Sequence, residues 1–105
     1  MSKWYILDNN HNPVSAPIME AAQWMDENPN RKIVKQEYVD DIHVSTVFLG
    51  LDHSWTGKIP VLWETMIFGG EHDNYQERYS SYEDALEGHQ NAINFIKLGI
   101  NGNTE

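Results

Sequence analysis

Two apolar runs constrain this chain more than any other feature. Val47 to Leu51 and Pro60 to Phe68 are largely apolar at odd and even positions alike, and a polar loop of residues 52–59 separates them. A strand with one wet face alternates. A strand apolar on both parities predicts cover on both faces of a sheet. Neither run approaches the roughly 20 residues that span a bilayer.

The flanking segments extend the sheet. Lys3 to Leu7 reads as a short strand, and the turn formers Asp8 to Pro13 end it. Lys32 to Val39 reads as a strand that turns at Asp40-Asp41 into His43–Leu51, so that Val39 faces Ile42 and Glu37 faces Val44. Gly69-Gly70 stops the strand that begins at Pro60, and Glu71 to Arg78 is polar and acidic.

Two segments carry helical spacing. Pro17 fits a first turn capped by Ser15 or Ala16, with Ile18, Ala21, Ala22 and Met25 on one face and Asn28-Pro29 as the stop. Ser80-Ser81-Tyr82-Glu83 forms a capping box, with Ser80 as the cap. Tyr82, Ala85, Leu86, His89, Ile93 and Ile96 then trace a single stripe, and Gly99 marks the end. The predicted class is α+β: a mostly antiparallel sheet of about four strands, in β-α-β-β-β-α order, with both helices on one face. At 105 residues the chain suits one domain, expected over 1–98, with a flexible tail at 99–105.

Composition excludes several functions. The absence of cysteine removes thiol, zinc-ribbon and iron–sulfur chemistry and points to a reducing compartment. Met1 to Tyr5 opens no apolar stretch of signal-peptide length, so a cytoplasmic location is expected. The 16 acidic residues against 7 basic, net −9, disfavour direct binding of nucleic acid or of an anionic membrane. Residues 71–87 hold six carboxylates against one cation, Arg78, which predicts a local acidic patch facing a basic partner.

The polar residues near the apolar runs are the candidate site. Glu64 lies within the second run, where a carboxylate is costly unless paired. It points to a solvated face, pairs with Arg78 or a lysine, or lines a pocket. Asp52-His53 ends the first run, and strand register decides whether either residue meets Glu64. If Phe48 faces Glu64, Asp52 shares its face; a one-residue slip brings His53 there instead. The plain alternative is that Asp52-His53 starts the loop through side-chain-to-backbone bonds. His89, on the apolar helix stripe, fits a buried hydrogen-bonded histidine. His53, His72 and His89 with Asp52, Glu64, Glu71 or Asp73 supply metal-ligating atoms, but no pair has a diagnostic spacing, and neither metal nor cofactor is expected. Trp55 in the polar loop is the leading exposed anchor.

The motifs Val44-Ser-Thr-Val-Phe-Leu-Gly-Leu-Asp-His53 and Pro60-Val-Leu-Trp-Glu-Thr-Met-Ile-Phe-Gly-Gly70 resemble a family of small proteins from bacteriophage and prophage genomes. Arg78-Tyr79-Ser80, the helix bearing Glu83, Ala85, Gly88 and His89, and the opening Trp4 to Asp8 are similar too, so the resemblance spans about residues 3 to 96. It implies a phage or mobile-element origin and a site of action in the bacterial host's cytoplasm. It carries no activity with it.

Three functions follow as expectations. The favoured one is a non-catalytic protein that occupies a basic host protein, of a nucleic-acid-handling or defence system. Trp55 and Tyr75 are its anchors, and Glu71, Asp73, Glu77, Glu83 and Asp84 its charged field. The second is a small enzyme or ligand-binding protein with His53 as acid/base beside Asp52 and Glu64, in a candidate pocket that also includes Arg78 and His89. The third is a phage assembly component that self-associates, as a homodimer or larger, through a sheet edge or Trp55.

Overall fold

A computed structural model describes residues 3–54 and 58–100. Its elements are β1 (Trp4–Leu7), β2 (Pro13–Ala16), α1 (Ile18–Glu27), β3 (Ile33–Val39), β4 (Ile42–Phe48), β5 (Trp63–Phe68), β6 (Gln76–Tyr79) and α2 (Tyr82–Ile100). The fold is α+β. A four-stranded antiparallel sheet runs in the order β3-β4-β5-β6, and β1-β2 is a separate antiparallel hairpin.

Two strands were not legible as such. β2 begins at Pro13, the end of the turn-forming cluster, and takes in Ser15 and Ala16. Asp8 makes the turn, its Oδ1 accepting from the backbone N–H of Asn10 and of Asn12. β6 lies inside the acidic segment. It is an edge strand, and three of its four residues are exposed, so no apolar alternation marks it.

Both helices differ in detail from their sequence patterns. In α1, Pro17 occupies the cap position, and no side chain caps the helix. Its inward face is Ala21, Trp24 and Met25, while Ile18 and Ala22 are exposed. The reason is what α1 packs on. It lies against β1 and reaches the sheet through Trp24 and Met25, beside Phe48. In α2 the cap is Ser81, one residue after the expected Ser80, its Oγ accepting from the N–H of Asp84. Ala92 takes the buried place expected of Leu86, which is exposed. The helix continues through Gly99 to Ile100.

The turn at Asp40-Asp41 forms as the sequence predicts, pairing Val39 with Ile42 and Glu37 with Val44. Asp40 has φ +56°, a left-handed conformation that Asp and Asn tolerate. The central register pairs Phe48 with Trp63 and Val47 with Glu64. That register sorts the sheet into two faces. Phe48, Trp63, Thr46, Thr65, Val44 and Ile67 look towards α2 and are buried. Among the described residues no helix packs across the opposite face; there Ile33, Tyr38 and Phe68 are exposed, while Val47, Glu64 and Met66 within the apolar runs are buried or half-buried. The core forms two clusters along the α2 side, one around Phe48, Leu62, Trp63 and Ala85 and one around Val44, Ile67, Ile93 and Ile96.

Candidate functional site

The five residues expected to share a pocket occupy three separate settings. Asp52 builds the loop that follows it. Its Oδ1 accepts from the backbone N–H of Ser54 and of Val61, and its Oδ2 from the Ser54 hydroxyl. Burial pushes this carboxyl up, but those backbone donors outweigh it and hold the group below the usual carboxylate range. The His53 Nδ1 lies 2.7 Å from the carbonyl oxygen of Leu51. Trp55 lies outside the described residues.

Glu64 is on the face away from α2. The Arg78 Nε donates to its Oε2 at 2.9 Å, and the Gln76 amide donates to the same oxygen. Of the three readings of Glu64, pairing with Arg78 is the one the geometry shows. Among the described residues, no hydrogen bond joins Asp52 or His53 to Glu64.

His89 is buried on the other face, in a polar chain the sequence did not announce. Its Nε2 lies 2.8 Å from Oε1 of Glu37, and its Nδ1 2.7 Å from Oγ1 of Thr46, which is in turn 2.6 Å from Oγ1 of Thr65. Burial pushes the imidazole pKa down against the opposing pull of Glu37, so the ring is neutral at pH 7. The hydrogen bond from His89 holds Glu37 below the usual carboxylate range. These states assign the protons: Thr65 donates to Thr46, Thr46 to Nδ1, and Nε2–H to the carboxylate. Acid, imidazole and hydroxyl stand in the order of a hydrolase triad. Thr46, however, is 0% exposed, so no substrate reaches its oxygen. The Tyr79 hydroxyl, also buried, lies beyond Thr65 without a well-formed hydrogen bond. Gly88 of α2 admits it, because a Cβ there would collide with the Tyr79 ring.

The expected partner-binding residues are dispersed. Tyr75 packs against Phe95 and the second core cluster rather than standing free. Asp73 accepts from the Gly69 N–H. Glu77 is on the exposed edge strand, and Glu83 and Asp84 form the first turn of α2. Asp84, Glu87, Arg78 and Asn91 line a shallow concavity of about 410 Å³ between β6 and α2. Among the described residues no group of three His, Asp or Glu side chains is placed to hold a metal ion, and no helix is long and apolar enough to cross a membrane.

The sheet face opposite α2 carries a feature that sequence reasoning missed. Register aligns Tyr38, His43 and Phe68 across β3, β4 and β5. The Tyr38 and His43 rings stack at 4.6 Å, and His43 lies 5.9 Å from Phe68. Tyr38 is 69% exposed and Phe68 43%. This row lies beside two acidic turns, Asp40-Asp41 and residues 69–74, which Gly69 and Gly70 bring together at Asp41 and Ile42; Asp73 accepts within its own turn, and Glu71 reaches towards Gly99 of α2. Neither residues 38–43 nor 66–75 include a lysine or arginine. The signal available in the sequence was parity: Tyr38 and Phe68 fall opposite in parity to their neighbours Val39 and Ile67, which pack into the second core cluster.

No protein-family model, curated protein or solved structure matches the chain.

Proposed function

We propose that the protein is a non-catalytic binding protein that associates with a basic protein surface through the Tyr38–His43–Phe68 row and the acidic turns beside it. The observation that carries this reading is the exposed aromatic row on a sheet face that no described helix crosses, beside the Asp40-Asp41 turn and with no lysine or arginine in residues 38–43 or 66–75. Aromatic faces attract guanidinium and ammonium groups, and neighbouring carboxylates add charge and direction. The polar residues suited to chemistry are bonded internally: Asp52 to its loop, Glu64 to Arg78, His89 to Thr46 and Glu37. In keeping with the phage-type resemblance, the proposed partner is a host protein of a nucleic-acid-handling or defence system.

The test is equilibrium binding of a labelled arginine-rich peptide at low and high salt. Asn is the replacement for both aspartates, since it keeps the left-handed turn at Asp40. Asp40→Asn with Asp41→Asn should weaken binding roughly threefold to tenfold, and Tyr38→Ala about twofold to fivefold. Unchanged binding by both variants would overturn the proposal.

A further inference from the structure

At the end of the sheet away from the acidic turns lies a groove of about 570 Å³. Trp4, Met25, Ile33, Val47 and Leu49 give it apolar walls, and Lys32 and Gln36 are its polar lining residues. It exists because two segments meet without filling the corner between them. β1 is held to the chain after β4, with the Tyr5 N–H donating to the Gly50 carbonyl and the Asp52 N–H to that of Lys3. Met25 of α1 closes over Gly50, where a Cβ would strike its methyl group and where φ is +79°. Ile33 and Val47 pair across β3 and β4 and turn away from α2, and no described strand covers them.

We infer that this groove binds an anionic amphiphile, a molecule with an alkyl or similarly apolar body and a single carboxylate-like head. The volume falls within the roughly 300–1,000 Å³ of small-molecule sites, and a mostly apolar lining with few polar groups is their usual composition. The choice of head group rests on charge. In a chain of net −9, no carboxylate lines the groove among the described residues. Lys32 is the one charged residue among those that line it, and no described residue engages it in an ion pair. Lys3 adjoins Trp4 in sequence, and the Arg31 guanidinium donates to the Asp8 carbonyl beside the Trp24 ring. A cationic amphiphile would meet Lys32 with like charge. A basic peptide of the kind proposed for the opposite end would meet the same repulsion, so the two surfaces select opposite ligands.

The experiment is calorimetric titration of the full chain with octanoate, decanoate and dodecanoate below their micelle concentrations, with decanol and decylammonium as head-group controls. One alkanoate should bind per chain, each added methylene tightening binding about threefold to fourfold. Lys32→Gln should weaken decanoate about twofold to fivefold, whereas Lys97→Gln, which removes a cation from α2, should leave it unchanged. Val47→Phe keeps strand propensity and narrows the groove, so it should abolish binding while circular dichroism stays native. Absence of saturable binding would overturn the inference. So would equal binding of decanol or decylammonium, or decanoate binding indifferent to both groove variants.

Discussion

His89 and Glu37 meet across 2.8 Å, although one is on α2 and the other on β3, and only Glu37 is open to water. The pair anchors the helix to the edge strand of the sheet. Its buried end continues through Thr46 to Thr65 on the two central strands, so four elements of chain converge on one row of hydrogen bonds.

This row makes stability depend on pH in a definite direction. The folded-state pKa of His89 is lowered, so the unfolded chain binds the proton more readily. Stability is lost as pH falls through the unfolded histidine value of about 6.5. Lowered Glu37 acts in the same sense at more acid pH, through the ordinary carboxylate range and below. Thermal unfolding should therefore show a drop between pH 7.5 and 5 that His89→Gln removes. An identical drop in the variant would show that other groups cause it.

Gly88→Ala tests the packing of Tyr79. In a helix interior this change ordinarily stabilises by about 1 kcal/mol. Here the new methyl group meets the Tyr79 ring, and a loss of about 1–3 kcal/mol is expected. In the Tyr79→Ala background the same substitution should become neutral or stabilising, a coupling that a denaturant-based double-mutant cycle measures.

Asp52→Ala should act locally. It removes the acceptor for the Ser54 and Val61 amides, at a cost of about 1–3 kcal/mol. Hydrogen exchange should accelerate at Val61 and its neighbours, while the amides of β4 and β5 keep their protection at conditions where the fold persists.

Arg78→Met and Glu64→Gln should not be equal. Glu64 has 11% of its side chain exposed and Arg78 41%, so removing the arginine strands a largely buried carboxylate. Arg78→Met should destabilise more than Arg78→Met combined with Glu64→Gln, as read from urea unfolding midpoints. The reverse order would place Glu64 in water.

Much of this architecture was legible in the chain. The Asp40-Asp41 turn fixed β3 against β4, and the spacing of Ala85, His89, Ile93 and Ile96 fixed the inward face of α2. β6 was not legible, because an edge strand at the surface has no buried parity to display. The site was less visible than the fold. Asp52, His53 and Glu64 stand out in sequence, yet each is spent on local bonding. The register is the slipped one, with Val47 opposite Glu64, but β4 ends at Phe48 and the chain turns at Gly50, so Asp52 and His53 lie outside the ladder. Register, which no single strand encodes, assembled Tyr38, His43 and Phe68 from three strands, and Thr46, Thr65 and Glu37 around His89.

The most direct measurement is an amide ¹H–¹⁵N titration of the labelled protein with an arginine-rich peptide. The account predicts saturable shifts concentrated in residues 38–43 and 68–73, around the Tyr38–His43–Phe68 row and its acidic turns. Shifts confined to Glu83–Asn91 would move the interface to the acidic concavity between β6 and α2, and an absence of shifts near Tyr38 and Phe68 would contradict the proposed binding surface.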